Sequence, residues 1–122
     1  MNKDVMNTLQ QTLNHPIILE MVSRGIEPKI KAVGLELEGF YKSGTVILFV
    51  DHKNKLMAID RYSMMTTIET LQDLVELNLY WWSASMSRSP NWVNPSEPWR
   101  SIAIEMGLLE VKETIVKEYV RK

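Results

Sequence analysis

Apolar side chains near the start of the chain recur at Val5, Met6, Leu9 and Leu13. That spacing follows one face of an α-helix and predicts a helix over residues 3–14. Pro16 breaks the run and suits the first turn of a second helix, and Gly25 is a fitting stop. The stretch "PIILEMVSRG" therefore predicts a helix over 16–24.

From Lys29 the period changes. In "KIKAVGLELEGFY", Val33, Leu35 and Leu37 alternate with Gly34, Glu36 and Glu38. Such alternation marks a strand with one buried face and one wet face. "KSG" is a turn. "TVILFV" is apolar on both faces, as expected of a central strand covered on both sides. "DHKNK" reads as a polar hairpin loop and "LMAIDRY" as a third strand, which completes an antiparallel meander.

The helical period then returns. Thr66 and Glu69 have capping-box spacing. Ile68, Leu71, Val75, Leu79 and Trp82 form an apolar stripe that Leu74, Leu77 and Trp81 widen. A helix is predicted from about residue 66 to 85. "SRSPNWVNPSEP" is a loop, after which Ser96 is placed to cap a short helix in "PWRSIAIEM". There Trp99, Ile102, Ala103 and Met106 share a face and Gly107 ends the helix. In the tail, Leu109, Val111 and Ile115 alternate as in a strand, whereas Val116, Tyr119 and Val120 suit a helix equally well. The fold class expected is α+β, in a single domain of residues 1–122. A small antiparallel sheet, a meander of three or more strands, packs against helices, with a helical hairpin at the N-terminus.

Composition narrows the function. The chain has 122 residues, 45% of them hydrophobic, and a net charge of −1. Its Lys and Arg residues are scattered, so no basic face for nucleic acid stands out. With no cysteine, disulfides, thiol catalysis and thiolate metal sites are all excluded, which fits a reducing cytoplasm. Neither a secretion signal nor a membrane-length apolar run is evident.

Candidate chemistry is sparse. His15 precedes Pro16 at a helix junction and reads as a capping or surface residue. His52 sits beside Asp51 in the hairpin loop, where a general base is conceivable and a solvated turn is the simpler reading. Neither has a partner at metal-ligand spacing. Glu36 and Glu38 share a strand face and could hold a divalent cation or act as a glycosidase-like pair, but a solvated strand face is the simpler reading. Phosphate-binding glycine loops and the Gly-x-Ser-x-Gly elbow are absent. These features predict no enzyme, no metal and no cofactor.

The sequence concentrates its aromatics instead. Trp81, Trp82, Trp92 and Trp99, all 4 tryptophans of the chain, lie in "YWWSASMSRSPNWVNPSEPW". Trp82 and Trp99 fall on inward helical faces and read as core anchors. Adjacent helical residues point about 100° apart, so Trp81 is harder to bury along with Trp82, and Trp92 lies in the loop itself. Trp, Tyr and Arg dominate the centres of protein interfaces, and tryptophan faces also stack on bases. The predicted binding residues are Trp81, Arg88, Trp92 and Arg100, joined by Arg61 and Tyr62 from the end of the third strand.

The stretch also resembles a pattern of small phage and prophage proteins. An Asp-Leu-Val helix, here Asp73, Leu74 and Val75, runs into Trp81 and Trp82. Ser83 or Ser85, Arg88, Trp92, Pro95 and Trp99 follow, then Gly107 and Leu108. The resemblance covers about a third of the chain. It implies an accessory protein acting in the host cytoplasm by binding, either to a host defence protein or to a nucleotide signal. The expected function is thus inhibition of a host process by a non-enzymatic protein–protein contact. The alternative is sequestration of a small nucleotide-like ligand in a Trp- and Arg-lined pocket, including one at a dimer interface. A homodimer through sheet edges or helices is compatible with the small sheet.

Overall fold

The computed structural model describes residues 3–32, 34–41, 44–60, 63–85, 95–112 and 118–122. The chain divides into two compact units, Met1–Leu71 and Gln72–Lys122.

The first unit opens with the helical hairpin, α1 (Lys3–Leu13) and α2 (Pro16–Ser23). Ile17, Ile18 and Met21 are buried. Gly25 ends α2 at φ +91°. Its N–H donates to Val22 O at 3.0 Å, and the N–H of Ile26 donates to Met21 O at 3.2 Å. This is a Schellman closure, sealed by the apolar pair Met21 and Ile26.

Five strands follow in one antiparallel sheet of sequential order: β1 (Lys29–Ile30), β2 (Leu35–Tyr41), β3 (Gly44–Val50), β4 (Leu56–Asp60) and β5 (Met65–Ile68). The register aligns Leu35, Leu48 and Ala58 across three strands, and Val50, Leu56 and Ile68 across the next. All six side chains are buried. Ile47, Phe49, Met57 and Ile59, on the other face, are half-buried. Phe40 is buried with Leu35 and Leu37 despite its opposite parity, because the β2–β3 register shifts between Leu37 and Tyr41. Helix α1 packs on β2 and β3. The expected position of β3 at the centre of the sheet is therefore correct. Gly34 is not on a wet face: it is buried, and a Cβ there would overlap the carbonyl oxygen of Leu48.

Two loops share one construction. In each, an Asp carboxylate folds back on the backbone and a residue three positions later takes positive φ. Asp51 Oδ1 accepts from the N–H groups of Lys53 and Lys55 at 2.8 and 2.9 Å, and Asn54 has φ +60°. Asp60 Oδ1 accepts from Met64 N–H at 3.0 Å, and Ser63 has φ +62°. The second loop corrects the predicted helix at 66–85. Residues 65–68 form strand β5, and helix α3 spans Leu71–Ser85. Thr66 pairs with Ala58 in the ladder and caps no helix. β-branched Thr66, Thr67 and Ile68 suit a pleated edge, and Thr70, directly before Leu71, stands where a helix cap belongs.

In the second unit, Leu74, Val75, Asn78 and Leu79 of α3 are fully or almost fully buried. Helix α4 (Trp99–Glu105) packs on β6 (Leu109–Lys112), which pairs antiparallel with β7 (Glu118–Arg121). Tyr119 and Val120 thus lie in a strand, and the helical alternative for them falls. Ile115 and Val116 lie outside the described residues. Pro98 occupies the cap position of α4 without a side-chain cap bond. Ser96 serves through its carbonyl, which accepts from Arg100 N–H at 3.2 Å. Gly107 closes α4 as Gly25 closes α2, with Leu108 N–H donating to Ala103 O at 2.8 Å.

Candidate binding site at the aromatic segment

Helix α3 carries the head of the aromatic segment. Among the described side chains its buried stripe runs to Leu79, and one residue of helical rotation turns Tyr80 outward, 62% exposed. Trp81 and Trp82 have helical backbones in α3, while their side chains lie outside the description. Arg88, Trp92, Arg61 and Tyr62 are outside the described residues.

The tail of the segment is anchored. Trp99 is 3% exposed and packs inward with Ile102 and Ala103, as its helical position predicted. Arg100, the next residue, is fixed from several sides. Its Nε donates to Pro95 O at 3.1 Å and lies 3.7 Å from Glu97 Oε1. Its Nη1 donates to Tyr119 Oη at 3.4 Å, and Cζ lies 4.7 Å from the Tyr119 ring centroid. Glu97 also accepts from Ser101 Oγ. These contacts hold the guanidinium plane in place and leave the side chain 28% exposed. Its Nη2 makes no hydrogen bond with the described residues.

Tyr80 and Tyr119 were not among the predicted binding residues. Tyr80 is signalled by its place off the apolar stripe of α3, between Leu79 and Trp81. Tyr119 reaches Arg100 only through the pairing of β7 with β6 and the packing of α4 on β6, which local periodicity does not encode.

The remaining polar candidates have structural work. His15 Nδ1 accepts from Ile17 N–H at 3.2 Å and caps α2. Burial lowers its pKa from the ordinary 6.5, because desolvation disfavours the cation. Asp51 is held below its ordinary value, first by the N–H of Lys55 and further by Lys53 N–H and the nearby positive charges. Glu36 is paired with Lys31 at 3.2 Å, and the side chain of Glu38 is outside the description. Among the described residues, no group of three or more His, Asp or Glu is placed to hold a metal ion, and no helix is long and apolar enough to cross a membrane.

No family model, no curated protein and no solved structure matches the chain, so the reading of this site rests on the chain's own geometry.

Proposed function

We propose that the chain is a non-enzymatic binding protein that inhibits a host process by covering a protein surface with its aromatic segment, residues 80–100. The observation that carries this reading is Tyr80. A segment whose aromatics served only as core anchors would not begin with a large ring 62% exposed. Arg100 supports the reading at the other end. A guanidinium already immobilised on Tyr119 loses little freedom when a partner docks beside it. Trp81, Arg88 and Trp92 lie between these two positions in sequence and supply the residue types that dominate interface centres. The resemblance to phage and prophage proteins supports a partner from the host.

Affinity capture from host lysate tests it. Tyr80→Ala and the double substitution Arg88→Ala with Trp92→Ala should each abolish capture of the partner while leaving the melting temperature within about 2 °C. A matching loss of fold stability would return the segment to a core role.

A second reading is favoured by Arg100 alone. Its Nη2 donors and fixed plane suit a small nucleotide-like anion, with tryptophan stacking on the base. A thermal-shift series with cyclic and linear nucleotides decides this: a shift abolished by Arg100→Ala supports it, and no shift with any of them removes it.

A further inference from the structure

Among the described residues, β5 is the last strand of the five-stranded sheet. Met65, Thr66 and Thr67 are all exposed, Met65 at 58%. The ladder with β4 fixes where the backbone groups of β5 point. The N–H of Asp60 donates to Met64 O at 3.2 Å, so these two residues form a hydrogen-bonded pair. Bonded and non-bonded pairs alternate along an antiparallel ladder. Ala58 with Thr66 is then a bonded pair, whereas Ile59 with Met65 and Met57 with Thr67 are non-bonded. The N–H and C=O groups of Met65 and Thr67 therefore point away from β4. Edge strands are ordinarily guarded by charge, proline or a bulge. Residues 63–68, "SMMTTI", contain neither charge nor proline.

We propose that β5 is a dimerisation edge, pairing antiparallel with β5 of a second copy across a twofold axis at Thr66. In this register Met65 stands opposite Thr67 of the second copy, and Thr67 opposite its Met65. Both are bonded pairs built from the outward-facing groups, so each contributes two interchain hydrogen bonds. Thr66 meets its own counterpart in the closer, non-bonded pair, a favourable match for two threonines. Glu69 falls opposite Ser63 and not opposite another Glu69, so no like charges face each other. A net charge of −1 adds little repulsion between copies. The half-buried face of Ile47, Phe49, Met57 and Ile59 continues through Met65 into the second copy. A foreign strand would find no charge on this edge by which to be selected, whereas a second copy satisfies every outward group by symmetry. The inference does not depend on the aromatic segment.

Sedimentation equilibrium and cross-linking test it on the full chain. The wild type should show reversible monomer–dimer exchange. Thr67→Pro removes an outward N–H and spares the β4 ladder, so it should weaken association at least about tenfold with an unchanged circular dichroism spectrum. Because the chain has no cysteine, Thr66→Cys supplies the only thiol and should form a disulfide dimer under mild oxidation, far faster than Met6→Cys on α1. Thr66→Lys and Thr66→Glu should each be monomeric alone and form a heterodimer when mixed, and this pair decides the matter if Thr67→Pro does not fold. A wild type that stays monomeric at its solubility limit overturns the proposal. So does a Thr67→Pro dimer as tight as the wild type, equal cross-linking of the two cysteine variants, or no heterodimer from the charge pair.

Discussion

The guanidinium of Arg100 lies over the ring of Tyr119, 4.7 Å from its centroid, and Nη1 reaches the same residue's hydroxyl. This relationship ties the start of α4 to β7. Lysine cannot reproduce a planar fork that stacks and hydrogen-bonds together. Arg100→Lys is expected to lower stability by about 1 kcal/mol, as is Tyr119→Ala. The double variant should lose less than the sum of the two. Urea unfolding of all three proteins measures the coupling, and strict additivity would mean that the stack contributes nothing.

Thr12 acts as a substitute strand. Its hydroxyl is buried, donates to Thr8 O at 2.7 Å and accepts from Val50 N–H at 3.2 Å. Val50 lies two residues beyond Leu48, the last β3 residue paired with β2 among the described residues. Thr12→Val keeps the shape and leaves that N–H without its acceptor, at an expected cost of about 1–3 kcal/mol. Thr12→Ser should retain most of the stability, and hydrogen exchange at Val50 should accelerate in the valine variant alone.

His15 makes α2 sensitive to acid. As a cap its Nδ1 must accept a hydrogen bond, so the neutral ring is the one that fits. Burial lowers its folded pKa below 6.5. Between the folded value and 6.5 the unfolded chain binds more protons, so stability is complete above pH 6.5 and declines as pH falls through the folded pKa. His15→Asn keeps a capping oxygen without a titrating ring. Denaturant midpoints measured across this window should fall more steeply for the wild type than for the variant.

Gly34 has no room for a methyl group. The overlap would be with the main chain of β3, at the carbonyl of Leu48, which cannot swing aside as a side chain could. Gly34→Ala is expected to cost about 1–3 kcal/mol by overpacking. Calorimetry of that variant should show a clear drop in melting temperature, whereas Ala32→Gly, at an exposed neighbouring position, should change it little.

Where local rules act alone, the sequence and the structure agree. Pro16, Gly25 and Gly107 each act on their own turn, and the helix ends fall beside them. The alternation of Leu35 with Glu36 reports burial directly. Strand β5 escaped because Ile68 and Leu71 continue the helical spacing backwards, and Thr66 with Glu69 imitates a cap. Pairing with β4, a tertiary gain, decides otherwise. One local clue existed: Asp60 and Ser63 repeat the spacing of Asp51 and Asn54. In the candidate site, the inward turn of Trp99 was legible from helical periodicity. The engagement of Arg100 with Tyr119 was not, since 19 residues separate them and only strand pairing closes that distance.

The paired Asp turns at the two ends of β4 also have a kinetic consequence. Every strand of the larger sheet pairs with its neighbour in sequence, so each ladder needs only a short loop to close, and loop-closure entropy is small. Two of those closures hold an Asp carboxylate hydrogen-bonded to the backbone of its own loop. The low sequence separation within the β3–β4–β5 meander favours its early assembly.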